Sequence, residues 1–151
     1  GGRPLLPLYQ VSDPHNGSAI WRTAASFGVG AVVTLERNAA QESGTLAKSA
    51  SGALEIVPLI SVGNLAQAIE ILKKAGYWIY GLDGEAKETI GQMKFDAKTA
   101  LILGAEGRGL RRLTAECCDF LVKIPMSGQM ESLNVSNAAA VAMYEVFRNS
   151  N

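Results

Sequence analysis

Short apolar runs alternate along this chain with segments that have the periodicity of amphipathic helices. The apolar runs occupy residues 5–11, 31–35, 55–60, 78–82, 99–103 and 120–124. Helical patterns occupy residues 13–28, 64–76, 110–115 and 137–148. Strand, helix and strand in regular order favour a mostly parallel sheet with helices on both faces. We therefore predict an α/β fold, whose ligands bind at the carboxyl ends of the strands.

Residues suited to helix ends flank the first two helical patterns. Asp13 and Pro14 are suited to start the first helix, and Asn64 to cap the second. Gly28 and Gly76 follow the last apolar positions of these helices. Glycine commonly ends a helix there, so we predict that both helices stop at these glycines.

Composition limits the class of protein. At 151 residues and 48% hydrophobic, the chain can form one domain, residues 1–151, without disulfides or a structural metal. The adjacent Cys117 and Cys118 suit neither a zinc site nor a disulfide framework, and they indicate reduced core thiols of a cytoplasmic protein. No run of about 18 apolar residues and no signal peptide is present, so we expect a soluble protein without a membrane partner.

Charge and the start of the chain add two expectations. The formal net charge is zero, so contact with a nucleic acid would have to be local. The chain opens on Gly1 and its first methionine is Met93, so we expect a domain of a longer protein.

A glycine-rich loop follows the fifth apolar run. Residues 101–110 read LILGAEGRGL, with Glu106 as the one carboxylate among three glycines. Such glycines let a backbone approach a ligand closely, although a tight turn has the same composition. The spacing is not the G-x-G-x-x-G of dinucleotide binding, and the Lys-Ser/Thr of a P-loop is missing.

Two further polar segments are candidates. Residues 132–137, SLNVSN, precede the last helical pattern; Ser136 or Asn137 would serve as an ordinary cap, which leaves Ser132 and Asn134 for function. Residues 13–22, DPHNGSAIWR, place an amide and a guanidinium at the start of the first helix, and both could face its beginning. The single histidine within it, His15, is interpreted as a turn residue, which gives no basis for a metal site.

These segments, in this order, resemble the three motifs of the SpoU (TrmH-like) RNA ribose methyltransferases of the SPOUT superfamily. Residues 16–22 resemble the first motif. Residues 103–110 together with 124–126 resemble the second motif, and residues 132–137 resemble the third. The similarity spans nearly the whole chain. Residues 13–16 and 107–113 resemble in particular the branch that methylates a guanosine of 23S rRNA, although tRNA enzymes share the motifs.

The resemblance implies a fold, a cofactor and partners. It implies a parallel sheet whose carboxyl-terminal part is threaded into a deep trefoil knot, a homodimer, and an RNA-binding domain upstream of this chain. It also implies that S-adenosyl-L-methionine binds in the knotted loops. The cofactor residues carried over are Leu103, Gly104, Glu106, Gly107, Ile124, Met126, Leu133 and Asn134.

The catalytic residues carried over are Arg22, Asn16, Glu106, Ser132 and Asn134. In the family the first-motif arginine faces the partner's cofactor, and here that residue is Arg22. A guanidinium is a poor base, so we expect Arg22 to bind phosphate and lower the pKa of the ribose hydroxyl, with Glu106 as the rival general base. The family commonly has Asn-x-Gly where this chain has Asn16-Gly17-Ser18, which changes the local backbone of the motif.

Other interpretations remain open at this point. Arg108, Arg111, Arg112 and Lys123 could meet RNA phosphates or form a solvated face. A nucleotide-dependent oxidoreductase is disfavoured by the missing dinucleotide fingerprint. A tRNA enzyme or a non-catalytic RNA-binding module of the same fold is the alternative. For the dimer interface we predict the last helix, with Val141, Tyr144 and Val146.

Overall fold

The computed structural model describes residues 8–9, 14–29, 32–35, 59–96, 98–104, 110–127 and 135–149. The strands are β1 (Leu8–Tyr9), β2 (Val32–Leu35), β3 (Leu59–Val62), β4 (Trp78–Leu82), β5 (Glu88–Thr89), β6 (Thr99–Leu103) and β7 (Phe120–Lys123). The helices are α1 (Pro14–Ser26), α2 (Leu65–Lys74), α3 (Arg112–Cys117) and α4 (Val135–Asn149), with one 3₁₀ turn at Ile90–Gln92.

Within the described residues the strands form one sheet in the order β3-β2-β1-β6-β4-β7-β5. Every described pairing is parallel. Strand β4 lies between β6 and β7, so Tyr80 is opposite Leu101 on one side and Phe120 on the other. The predicted mostly parallel α/β sheet is confirmed, and all six apolar runs contribute a strand.

The predicted helix ends agree with the backbone. The side chain of Asn64 accepts a hydrogen bond from the Gln67 amide at 3.2 Å, which is the predicted cap of α2. Gly28 and Gly76 follow α1 and α2 with φ of 67° and 96°, and this left-handed conformation is the one that favours glycine.

Two helix boundaries differ from the prediction. The third helix begins at Arg112 rather than at residue 110, because Arg111 is extended (φ −68°, ψ 150°) and the Leu110 side chain packs against the sheet instead. The last helix begins at Val135, so Ser136 and Asn137 lie inside its first turn and are not its caps. The two-residue strand β5 was not predicted, because it is too short to show a period.

Helices cover both faces of the sheet, and alternate strand residues fill two cores. In the first core, on one face, Tyr80, Leu101 and Leu103 pack with the buried side chains of α1 and α4. In the second core, on the other face, Ile79, Ala100 and Ile102 pack with Leu65 and Ile69 of α2, and α3 contacts α2 there. The helices in the described part of the chain lack the length and apolar character needed to cross a membrane.

Candidate functional site

Three adjacent strands end together at one edge of the sheet, which we call the carboxyl edge. Gly104 follows β6, Asp83 follows β4 and Ile124 follows β7. Neighbouring parallel strands lie about 4.8 Å apart, so these three positions fall within about 10 Å. The Asp83 amide donates to the Val122 carbonyl at 2.9 Å, which closes the sheet at this edge.

A tight turn follows β4 at the carboxyl edge. The Asp83 side chain accepts from the Glu85 amide at 2.9 Å, and the Asp83 carbonyl accepts from the Ala86 amide at 3.0 Å. Asp83 was not among the site residues predicted from the sequence. The signal was present, because Asp-Gly directly after a buried strand is typical of a turn, and in a parallel sheet such a turn borders the ligand edge.

Four of the predicted cofactor residues lie at the carboxyl edge in the described structure. Leu103 is 1% exposed and its side chain belongs to the first core, so any ligand contact it makes is through its backbone. Gly104 is half-buried. Ile124 is half-buried against the first core, and Met126 leaves 39% of its surface exposed. The edge therefore combines an accessible backbone on β6 with apolar side chains after β7.

The remaining predicted site residues lie outside the described residues or are described only in part. Glu106, Gly107, Ser132, Leu133 and Asn134 fall in the segments 105–109 and 128–134. The backbone of Asn16 belongs to α1, but its side chain is outside the described part. These assignments stay predictions.

Arg22 lies on the exposed side of α1, whose neighbouring residues Ile20, Trp21 and Ala24 are fully buried. The helix runs without interruption from Pro14 to Ser26. Six helical residues span about 9 Å and turn by about 240°, so the backbone positions of Asn16 and Arg22 lie on different faces of α1; that both side chains face the beginning of the helix stays a prediction. Since α1 follows the carboxyl end of β1, Arg22 lies toward the opposite edge of its own sheet.

The predicted basic cluster is only partly available for an anion. Arg111 is exposed, and Arg112 pairs with Glu116 at 3.2 Å one helical turn later. Lys123 ends β7 and is half-buried. Arg108 lies outside the described residues. An exposed pair of this kind contributes little stability, so Arg112 can exchange Glu116 for a phosphate at small cost.

The two cysteines are free thiols that pack against the second core, which agrees with the sequence prediction. Burial, followed by the charge of Cys117, raises the pKa of the Cys118 thiol to about 12. A thiol with that pKa is not a nucleophile at neutral pH. Among the described residues no group of three or more His, Cys, Asp and Glu side chains is arranged to hold a metal.

An apolar patch lies where α1 meets α4. Tyr144 and Phe147 are 49% and 43% exposed, and their rings lie 5.8 Å and 5.5 Å from that of Phe27. Val141, from the same helix, is 39% exposed. Val146 is fully buried in the first core, so its prediction as an interface residue is wrong: it faces the sheet, not the solvent.

The parallel sheet with helices on both faces, Gly104 at its carboxyl edge and the apolar residues after β7 define a protein of the α/β class. Residues 4–144 match the SpoU rRNA Methylase family model, and the chain belongs to this family. The resemblance found in the motifs is thereby confirmed.

Individual relatives are similar over nearly the whole chain. The 23S rRNA (guanosine-2'-O-)-methyltransferase RlmB of Pseudomonas aeruginosa is 46% identical over 144 residues, which cover 95% of this chain and 58% of the relative. The SpoU methyltransferase AviRb of Streptomyces viridochromogenes, solved in complex with the cofactor AdoMet, superposes with a TM-score of 0.87 at 27% identity, covering 98% of this chain and 61% of that one. The TrmH/SpoU tRNA modifying enzyme of A. aeolicus has a TM-score of 0.86 at 26% identity, covering 98% and 76%. The chain thus spans less than two thirds of the curated relative's length.

Proposed function

We propose that this chain is the catalytic domain of an S-adenosylmethionine-dependent RNA ribose 2′-O-methyltransferase that modifies a guanosine of 23S rRNA. The observation that carries the proposal is the carboxyl edge, where Gly104, Asp83 and Ile124 directly follow three adjacent strands. The chain that forms this edge is 46% identical to a 23S rRNA (guanosine-2'-O-)-methyltransferase. Open α/β sheets bind their ligands at this edge.

The residues at the carboxyl edge fit the cofactor. An adenine ring needs apolar surface, and Ile124 and Met126 offer it. Ile124 is half-buried, and Met126 has 39% of its surface exposed. The polar remainder of the cofactor needs backbone donors and acceptors, and the sequence predicts that the glycine loop after Gly104 supplies them. The structural neighbour AviRb was solved in complex with the cofactor AdoMet. Glu106, Gly107, Leu133 and Asn134 complete the proposed site.

Bound S-adenosylmethionine supplies an electrophilic methyl group on its sulfonium. This chain has to hold the ribose hydroxyl in line with that carbon and weaken its O–H bond. We assign phosphate binding and activation of the hydroxyl to Arg22, and orientation to Asn16, Glu106, Ser132 and Asn134. A guanidinium stays protonated, so its role is electrostatic, and Glu106 is the alternative acceptor of the proton.

We further propose a homodimer in which Arg22 of one subunit serves the cofactor of the other. Within one subunit Arg22 lies some way down α1 from the carboxyl edge, on the exposed side of the helix. The exposed ring patch of Tyr144, Phe147 and Phe27 borders α1 and is a suitable apolar surface for a second copy. This arrangement would bring Arg22 of one subunit to the cofactor of the other.

The proposal extends to the chain path and to the whole protein. We propose that the segment from β7 to α4 completes a trefoil knot. Two features support it: β6 and β7 flank β4, and the helices that follow them, α3 and α4, contact opposite faces of the sheet. We also propose a further RNA-binding domain, because relatives are longer than this chain, and a cytoplasmic location, where rRNA is available.

The first test is calorimetric titration with S-adenosylmethionine and S-adenosylhomocysteine, repeated on Leu133→Arg. We expect binding by the natural chain and its loss in the variant, because a charged side chain would enter the apolar pocket. Absence of binding by the natural chain would contradict the cofactor assignment.

The second test is transfer of labelled methyl groups to 23S rRNA and to tRNA, with mapping of the modified nucleotide. We expect a 2′-O-methylguanosine in 23S rRNA. Exclusive labelling of tRNA would favour the alternative enzyme, in keeping with the tRNA modifying enzyme among the structural neighbours. Cofactor binding without transfer to either RNA would favour a non-catalytic module.

A further inference from the structure

Gly81 lies in strand β4, and three side chains fill the space that a side chain of its own would occupy. A Cβ built there would lie 2.6 Å from Leu110 Cδ1, 2.7 Å from Cys118 Sγ and 3.0 Å from Leu121 Cδ2. Favourable contacts between non-bonded heavy atoms begin at about 3.5 Å, so a larger residue at position 81 has to displace these neighbours. The niche above Gly81 is therefore a seat for Leu110 and Cys118.

The same glycine meets both ends of the glycine loop. Its backbone is opposite Ile102 of β6, two residues before Gly104, where the loop begins. The side chain seated on it belongs to Leu110, the first described residue after the loop. On its other side Gly81 is opposite Leu121 of β7, the strand that leads to Ile124 and Met126.

Among the described residues, the exit of the loop packs against the sheet through a small set of partly buried side chains. Helix α3 contains no fully buried residue, and its Leu113 is 75% exposed. Leu110 before the helix and Cys117 and Cys118 at its end pack against the second core. Leu110 and Cys118 use the Gly81 niche, so the position of Leu110 and of α3 depends on that niche.

We propose that Gly81 is a positioning residue for the cofactor: by lacking a side chain it seats Leu110, and with its backbone opposite Ile102 it thereby fixes the two described ends of the glycine loop, Gly104 and Leu110, relative to each other. The inference rests on the proposed function, because it takes S-adenosylmethionine as the ligand of that loop. Gly81 itself touches no reacting atom. It acts through Leu110.

The test measures the dissociation constant of S-adenosylhomocysteine by calorimetry for the natural chain, Gly81→Ala and Leu110→Ala, at a temperature where each is folded by circular dichroism. We expect each substitution to weaken binding by about tenfold, since overpacked or emptied core sites shift their surroundings. Because both substitutions act on the same packing site, the double variant Gly81→Ala/Leu110→Ala should bind S-adenosylhomocysteine little more weakly than the weaker-binding of the two single variants. Additive losses would overturn the proposal.

Two control variants separate positioning from general stability. Gly91→Ala adds the same methyl group where nothing lies within 4 Å. Val29→Ala shortens a fully buried side chain of the first core that precedes β2, at the opposite edge of the sheet from Ile124. Gly91→Ala and Val29→Ala should keep the natural dissociation constant, and Val29→Ala should do so although its unfolding temperature falls. Binding by Gly81→Ala within twofold of the controls would refute the inference.

A measurement without ligand separates this inference from the proposed function. Amide hydrogen exchange over residues 110–118 should be faster in Gly81→Ala than in Gly91→Ala, because Leu110 and Cys118 have lost their seat. If the natural chain does not bind S-adenosylhomocysteine, the proposed function fails, while the exchange rates still decide the role of Gly81. Equal exchange in the two variants would overturn that role.

Discussion

Asp119, between α3 and β7, connects the start of β7 to β4 through two hydrogen bonds. Its side chain accepts from the Ile79 amide at 2.7 Å, and its own amide donates to the Ile79 carbonyl at 2.8 Å. The carboxylate also lies 4.0 Å from the Lys73 ammonium. Replacing Asp119 with alanine removes the side-chain bond and leaves the Ile79 amide, on a buried residue, without this acceptor.

The geometry of these contacts sets the expected decrease in the free energy of unfolding. A hydrogen bond to a charged acceptor contributes about 1.5–3 kcal/mol, and the 2.7 Å distance is typical of the strong ones. The Lys73 pair is long and partly exposed, so it adds at most about 1 kcal/mol. We expect Asp119→Ala to lower the free energy of unfolding by about 2–3 kcal/mol. Asp119→Asn, which keeps an acceptor, should lower it by about half as much.

Urea unfolding followed by circular dichroism, with linear extrapolation to water, measures these values. The midpoint temperature of thermal unfolding should fall by roughly 4–10 °C for Asp119→Ala in a domain of this size. Lys73→Ala is the matched control and should lose less than about 1 kcal/mol. The reasoning is refuted if Asp119→Ala stays within about 0.5 kcal/mol of the natural chain, or if Lys73→Ala loses as much as Asp119→Ala.

Three further predictions concern the site, the thiols and a helix cap. Arg22→Ala should lose methyl transfer by at least about a hundredfold yet keep the natural affinity for S-adenosylhomocysteine; full activity would contradict its assignment. Cys118, with its pKa raised to about 12, should react with a maleimide at pH 8 far more slowly than a free thiol, and mass spectrometry of Cys117→Ser measures this. Because its folded pKa is raised, its contribution to stability is full below about pH 9 and is lost as the pH rises toward 12. Asn64→Ala should cost about 1 kcal/mol of unfolding free energy by removing the cap bond to the Gln67 amide, whereas an unchanged urea midpoint would show that bond to be unimportant.

The predicted elements were right where the pattern is long and its ends carry a specific residue. Helix α2 is the clearest case: Asn64 caps it and Gly76 follows it with φ of 96°, as predicted. The prediction was wrong where a local pattern competes with packing. Leu110 has helical spacing with the residues after it, but its side chain is seated on Gly81, so α3 begins two residues later.

The site was predictable in part. Gly104, Ile124 and Met126 were selected from the motifs, and they lie at the carboxyl edge. Gly81 and Asp83 were missed, although a glycine inside a bulky strand is a sign of close approach and Asp-Gly is a sign of a turn. Their importance depends on which strands flank β4, which no local window contains.

The sequence by itself determined the class of fold and the family. Alternating apolar runs, caps and three short motifs are local features, so they can be recognised in short stretches of sequence without the tertiary contacts. Only the tertiary structure decided that β6 and β7 flank β4, that Val146 faces the core while Tyr144 faces solvent, and that Leu110 fills the niche of Gly81. These outcomes depend on contacts between residues far apart in the chain, and the packing free energy that selects them is shared among elements rather than carried by any one segment.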